Sequence, residues 1–143
     1  MPFTADIDSL RNALATTVTS GTGLRVLPDA YGQVSPPVGV VLPGDPLIIF
    51  GATMDGAVTV NLRLIIIISS AAPDEKVQRA LDAYLGIGHG AGPNSIPEAL
   101  QMDPTLGGVV HFAIPVSVSN YGRITYAGEE YFGARVNIQI GSI

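Results

Sequence analysis

The sequence predicts a single α+β domain in which a central, mostly antiparallel sheet is flanked by two to three helices. Three observations lead to this prediction. The 143 residues suffice for one hydrophobic core and leave no room for a second domain, so residues 1–143 are expected to form one unit. The apolar periodicity is helical in some segments and alternates in others. Runs of strands follow runs of helices, which favours α+β over a doubly wound sheet.

The first amphipathic segment, from residue 4 to about residue 20, is expected to be a helix. Its apolar stripe consists of Ile7, Leu10, Leu14 and Val18. Thr4 suits the N-cap position, and Gly21 and Gly23 are expected to end the helix. Strands are then expected over residues 24–27 and 38–42, with a loop over residues 28–37 between them. Residues 47–50 are expected to continue the second of these strands after a turn over residues 43–46.

The longest expected strand covers residues 57–69 and follows a hairpin turn over residues 54–56. In its first half, apolar residues alternate with Thr59, Asn61 and Arg63, which indicates that one face of the strand is exposed to solvent. Residues 64–68 are all apolar, so both faces must be covered there. This segment is therefore expected to be the centre of the fold, with the first and second helices covering it.

The second half of the chain is expected to contain two helices and then a meander of three strands. Pro73 opens the second helix, in which Glu75 can pair with Arg79. A capping-box pattern over residues 95–98 begins a short third helix that ends near Met102. Strands follow over residues 109–118, 123–127 and 131–140, joined by hairpin turns over residues 120–122 and 127–130.

Charged residues make up only 13% of the chain, about half of the roughly 25% usual for soluble proteins. A monomer with so few charges has difficulty covering its surface with polar groups. Part of that surface is therefore expected to be buried against other subunits. The net charge is −5, and the seven basic residues are scattered along the sequence. This distribution argues against tight binding of nucleic acid, which requires clustered Lys and Arg.

Three further classes of protein are disfavoured by the sequence. There is no cysteine, hence no disulfide framework and no thiolate metal site. Asp6 and Asp8 stand where a secretory signal would carry Lys or Arg, so no signal peptide is expected. The longest apolar run, over residues 64–68, is far shorter than the about 20 residues that cross a bilayer, and no membrane partner is expected.

No residue is predicted to be catalytic, cofactor-binding or metal-binding. A dinucleotide fingerprint needs a strand before its glycine-rich loop and a helix after it, whereas the loop over residues 86–92 follows a helix. His89 in this loop and His111 on an expected strand are far apart in sequence, whereas a zinc site needs three or four converging ligands. Glu129 and Glu130 are adjacent and would point to opposite faces of a strand, which does not suit an acid–base pair. The chain is therefore expected not to be an enzyme.

Several segments, in a fixed order along nearly the whole chain, resemble those of one family. In the first half they are LRNAL (residues 10–14), GLRV (23–26) and PPVGVV (36–41). In the second half they are LDAYL (81–85), SIPEAL (95–100), DPTLGG (103–108), YG (121–122) and GEEYFGA (128–134). Taken together in this order, they resemble the tail terminator proteins of long-tailed, siphovirus-type bacteriophages, particularly those that infect actinobacteria.

The resemblance implies a central sheet with flanking helices and a homo-oligomer, a hexameric ring. In this family the ring sits on the head-proximal end of the tail tube, stops tube polymerisation and provides the docking face for the head–tail connector. The expected partners are therefore further copies of this chain, the tail tube protein and the connector or neck protein. The expected location is the neck region of the virion, after assembly in the host cytoplasm. The family has no catalytic residue or cofactor. The loop over residues 86–92 departs from it in being longer and richer in glycine.

Two alternatives remain open. One is a head–tail joining or other neck protein of the same particle, which shares the small α+β size and the low charge. The other is a small ligand-binding or hydrolytic domain that uses the glycine-rich loop and His89.

If the ring forms, DNA must pass through its lumen without specific binding. A lumen lined by acidic and small polar side chains would meet this need, because carboxylates repel phosphates. Candidate acids in expected turns are Asp45, Asp55, Glu129 and Glu130.

Overall fold

The computed structural model of the chain describes residues 7–28, 37–50, 58–69, 75–86, 95–110 and 112–142. Within these residues the chain forms three helices and one five-stranded mixed sheet, which confirms the predicted α+β class. The helices are α1 (Ile7–Thr22), α2 (Glu75–Tyr84) and α3 (Ile96–Met102). The strands are β1 (Val26–Leu27), β2 (Val38–Phe50), β3 (Val58–Ser69), β4 (Phe112–Tyr126) and β5 (Glu129–Ser142).

The strands lie in the order β1-β2-β3-β5-β4. β1 runs parallel to β2, and the other neighbouring strands are antiparallel. The middle strand is β3, in which Ile66 pairs with Gly39 of β2 on one side and with Ala134 of β5 on the other. All side chains at residues 64–68 are buried. The prediction that this segment is the centre of the fold is confirmed.

The two faces of the sheet are covered in different ways. On the helical face, Leu64 and Ile66 belong to the larger core cluster, which also contains buried apolar side chains from all three helices, among them Leu14, Leu81 and Leu100. On the opposite face, Ile65 and Ile67 belong to a smaller cluster formed by strand residues only. The expectation that the first and second helices cover the two faces is therefore wrong. Strand residues, including Tyr126 and Tyr131 near the tip of the β4–β5 hairpin, cover the second face instead.

Where the structure describes both sides of a helix end, that end lies close to the predicted position. α1 continues through Gly21 to Thr22 and stops before Gly23. α3 begins after Ser95, whose Oγ accepts a hydrogen bond from the Glu98 backbone N–H at 3.2 Å, as the capping pattern predicts. The same Oγ donates to the Gly86 carbonyl oxygen, which lies 2.7 Å away. The predicted N-cap Thr4, the opening Pro73 and the turn over residues 54–56 lie outside the described residues.

The predicted meander of three strands is in fact two long strands. β4 runs from Phe112 to Tyr126 without the expected hairpin turn at residues 120–122. Its register with β5 shifts there, between Ser119 and Gly122, and the pairing with β5 then resumes. Asn120 and Gly122 have positive φ angles of 56° and 127°. The same local chemistry that suits a turn therefore forms a bulge, because the strand keeps its partner.

The second predicted turn is confirmed. Tyr126 pairs with Glu129, so Ala127 and Gly128 form a two-residue hairpin loop. Both have positive φ, 53° and 82°, as a type I′ turn requires. In β2 the expected turn over residues 43–46 is a register shift between Pro43 and Ile48 within a single strand.

Candidate functional site: a polar face of the sheet

The opposite face of the sheet has a covered half and an open half. Side chains alternate between faces along a strand, so Arg63 lies on the same face as Ile65 and Ile67. Beyond Arg63 that face is polar. Cross-strand pairs place Arg135 beside Ile65, Asn137 beside Arg63 and Gln139 beside Asn61. We call this open half the polar face. It consists of Asn61, Arg63, Ser117, Ser119, Arg135, Asn137 and Gln139.

The limit of the polar face is set by apolar and aromatic side chains near the tip of the β4–β5 hairpin. Ile124, Tyr126 and Tyr131 are buried with Val38 and Val40 of β2. The pKa of Tyr131 is raised, first by burial and then by the hydrogen bond that its hydroxyl donates to Glu129 at 3.1 Å. These aromatic rings cover only the half of the opposite face near Ile67, and the arginine half stays outside the cluster.

The irregular segment of β2 holds one side of the polar face in place. Arg63 Nε donates to the Pro43 carbonyl oxygen at 2.8 Å, and Asn61 Nδ2 donates to the Pro46 carbonyl oxygen at 3.0 Å. Both acceptors lie at or within the register shift of β2. Pro46 lies between the paired positions Pro43 and Ile48, and Pro43 is the last paired residue before this interval. The irregular segment thus supplies both carbonyl groups that fix the two polar side chains.

The other side of the polar face is fixed by hydrogen bonds between β5 and β4. Asn137 Nδ2 donates to Ser117 Oγ at 2.8 Å and approaches Ser119 Oγ at 3.5 Å. Ser117 is positioned opposite Asn137 by the register shift at Val116. The amide group of Asn137 and the hydroxyl groups of Ser117 and Ser119 therefore lie beside the arginines. Hydrogen bonds between these side chains fix their positions.

The two arginines of the polar face form no ion pair with a described carboxylate. Arg135 Nε is buried and has no hydrogen-bond partner within the described part of the chain. The arginines line a concave space of about 430 Å³, with Asp45 also in its lining. Because these two guanidinium groups line the space without an ion pair to a described carboxylate, the polar face is suited to receive a hydrogen-bond acceptor, most favourably an anionic one.

A second surface lies on the helical side, in a groove between α1 and α3. This α1–α3 groove has a volume of about 780 Å³, and its walls include Ala13, Ala99, Leu106 and Val109. Glu98 and Asp103 also line it, and beside them the Met102 side chain is 80% exposed. The groove thus combines apolar walls with two carboxylates.

Of the titratable residues discussed above as catalytic or metal-binding candidates, the structure describes only Glu129 and Glu130. His89 and His111 lie outside the described residues, as does most of the loop over residues 86–92. Among residues that are described, no group of three or more His, Asp or Glu side chains is placed to hold a metal ion. Glu129 and Glu130 are both exposed and have different partners, Tyr131 and Arg123 respectively.

Sequence reasoning found one part of the polar face and missed the other. Alternation in β3 predicted a wet face at Asn61 and Arg63, and the structure confirms that neither is fully buried. Arg135, Asn137 and Gln139 of β5 alternate with apolar residues in the same way, which indicates a second row of polar side chains on one face of that strand. Only the register of β5 against β3 shows that these two polar rows are adjacent.

Among the described helices, none has the length and apolar character needed to cross a membrane. No protein-family model matches the chain, and no curated protein matches it in sequence.

Proposed function

We propose that this protein is a structural phage tail terminator, a subunit of a hexameric ring at the head-proximal end of the tail tube. One structural observation supports an assembly role most directly. Seven large apolar side chains are exposed in the described residues, with Phe50 at 75% and Met102 at 80%. Such groups gain free energy when a neighbouring subunit removes them from water.

The positions of these apolar residues favour contacts on more than one side. Ile114, Val116 and Val118 lie on the edge strand β4, Ile49 and Phe50 end β2, and Met102 ends α3. A ring subunit uses two different patches for its two neighbours and further surfaces for the partners above and below it. Scattered apolar patches on a chain with few charges fit that need.

The resemblance in sequence gives the assembly its specific form. The ring would cap the tail tube, stop its polymerisation and present a docking face to the head–tail connector, with DNA passing through the lumen. The partners are then further copies of this chain, the tail tube protein and the connector, and the site of action is the neck of the virion.

The test is the effect of the purified protein on tube growth. Native mass spectrometry of the protein, alone and mixed with tail tube protein, is expected to show six copies per ring. Adding the protein to polymerising tube protein is expected to stop elongation, with one ring at a tube end in electron micrographs. A monomer that neither binds tubes nor changes their length would overturn the proposal. A ring that binds the connector but leaves tube growth unchanged would point to a head–tail joining protein instead.

A further inference from the structure

We infer that the polar face of one subunit binds the carboxylate-lined α1–α3 groove of a second copy, through Arg63 and Arg135 on one side and Glu98 and Asp103 on the other. This inference rests on the proposed ring. It specifies the two surfaces that form the interface between neighbouring subunits, which we call the joint.

The first argument is the division of charge between the two sides of the sheet. Three ion pairs among the described residues join neighbours on one subunit: Arg11–Asp8, Arg79–Glu75 and Arg123–Glu130. Arg63 and Arg135 take part in none of them, and they lie together on the face that the helices do not cover. Glu98 and Asp103 lie on the helical side. Complementary charge is thus presented on opposite sides of one molecule.

The second argument is the chemistry of Arg135. Arg135 and Arg63 both line the concave space of the polar face, and a guanidinium group binds a carboxylate through two parallel hydrogen bonds. A carboxylate that enters the concave space of the polar face from outside can accept from this group and from the neighbouring Arg63. Asp103 already accepts from the Gly107 backbone N–H through Oδ1 at 3.0 Å, and a carboxylate has further acceptor sites.

The third argument concerns symmetry. A two-fold dimer that uses the polar face on both subunits would place arginine against arginine, which is repulsive. Contact between the polar face and the α1–α3 groove is heterologous, because it joins two different patches and leaves one of each exposed for the next subunit. Only such a contact can be repeated around a ring.

The fourth argument is that both surfaces have apolar groups beside their charges. Ile114 pairs with Gln139 at the border of the polar face and is 45% exposed. Met102 is exposed beside the groove. Charge complementarity then fixes the register of the contact, and burial of these apolar side chains contributes to its stability.

A charge-swap experiment in the full chain tests the inference. Variant one carries Arg63→Glu and Arg135→Glu, and variant two carries Glu98→Arg and Asp103→Arg. Each variant alone has like charges at every joint, so neither should form a ring. When the two are mixed, each joint regains opposite charges, and native mass spectrometry should detect rings with three copies of each variant. The matched control is Lys76→Glu with Arg79→Glu, which changes the net charge as variant one does but lies on α2, and it should form normal rings.

The possible outcomes separate this inference from the proposed function. If the unmodified chain forms no ring, alone or with tail tube protein, the proposed function fails. If it forms rings and variant one does too, the ring stands and the inference is overturned. Because charge reversal can also disturb folding, Arg63→Gln with Arg135→Gln is measured as well, with circular dichroism to verify the fold. This variant should weaken subunit association by about tenfold or more, and an unchanged dissociation constant would overturn the inference.

Discussion

At Gly133 the backbones of β5 and β3 approach so closely that no side chain fits. A Cβ built at this position would overlap the carbonyl oxygen of Ile66. Backbone atoms of the central strand cannot move aside without disturbing the core. Gly133→Ala is therefore expected to lower the free energy of unfolding by about 1–3 kcal/mol, the usual cost of overpacking. Urea denaturation followed by circular dichroism measures this change.

Gly141→Ala is the matched control for that substitution. A Cβ at Gly141 would meet the Phe112 ring, which is the far end of a side chain and can rotate. Its cost should be clearly smaller than that of Gly133→Ala. Equal costs at the two positions would show that the close contact between Gly133 and Ile66 does not limit packing.

Tyr121 links the bulge of β4 to α2 and gives the fold a pH-dependent contact. Its hydroxyl donates to Asp82 Oδ1 at 2.8 Å, and this hydrogen bond is the main cause that raises the pKa of Tyr121 above 10.0. A raised pKa means that the folded state favours the neutral phenol. The contact therefore stabilises the fold below the unfolded pKa near 10, and this stabilisation is lost as the pH rises through the folded value.

Asp82→Asn should bring the pKa of Tyr121 back toward 10, since it removes the carboxylate that favours the neutral phenol. Absorbance of the phenolate between pH 9 and 12 measures this change, and the difference from the Tyr121→Phe variant isolates the one tyrosine. The raised pKa of Tyr131 depends on burial and Glu129, so it should persist in the Asp82→Asn variant. If Tyr121 titrates identically with and without the carboxylate, the hydrogen bond is not formed in solution.

Among the elements, β3 is the middle strand of the sheet, and its residues 64–68 are buried on both faces. Ile66 is fully buried in its middle. Ile66→Asp should place an unpaired charge in the core and abolish soluble folding. Thr59→Asp, on the same strand but only partly buried, serves as the control and should remain folded. Yield in the soluble fraction and circular dichroism distinguish the two outcomes.

The elements also show which features local sequence can predict. The Ser95 cap and the turn at Ala127 and Gly128 depend on residues a few positions apart, and both were predicted. The bulge at Asn120 was predicted as a hairpin turn, because its residues suit both structures. Pairing with distant β5 residues decides between them. Local chemistry fixes where the chain bends, whereas non-local pairing fixes whether the strand ends there.

The polar face was only half predictable for the same reason. Arg63 and Arg135 are 72 positions apart in the sequence, and each looks like an ordinary polar residue of an alternating strand. Their proximity follows from the register in which Ile65 pairs with Arg135. Tyr126 and Tyr131 cover the opposite face because the β4–β5 hairpin packs them against residues of β2 and β3. Apolar periodicity within one strand does not predict such packing between strands.

For the whole molecule, the distribution of charge bears on the passage of DNA through the proposed ring. Each chain has a net charge of −5, so six copies make a strongly negative assembly. Arg11, Arg79 and Arg123 are paired with carboxylates on their own subunit, and the inferred joint would occupy Arg63 and Arg135. Few cations would then remain to hold phosphates.

The last prediction follows from this charge distribution: the ring should not retain DNA at physiological salt. Phosphates adhere to Lys and Arg and are repelled by carboxylates, so a lysine introduced in the lumen should create retention that the unmodified ring lacks. Asp45, Glu129 and Glu130 are exposed in the structure, and Asp55 lies outside the described residues. Asp45 also lines the concave space of the polar face, so a lysine there would change the inferred joint. The lumen is therefore tested at Asp55, Glu129 and Glu130, each changed to lysine singly, and the rings are scored for DNA retention in a filter assay and for infectivity. Positions that line the lumen should gain retention and lose infectivity together, whereas positions on the outer wall should change neither. Strong DNA binding by the unmodified ring, or a lumen lined by Arg25, Arg123 and Arg135, would contradict the prediction, because a passage of that kind would hold the DNA that it must release.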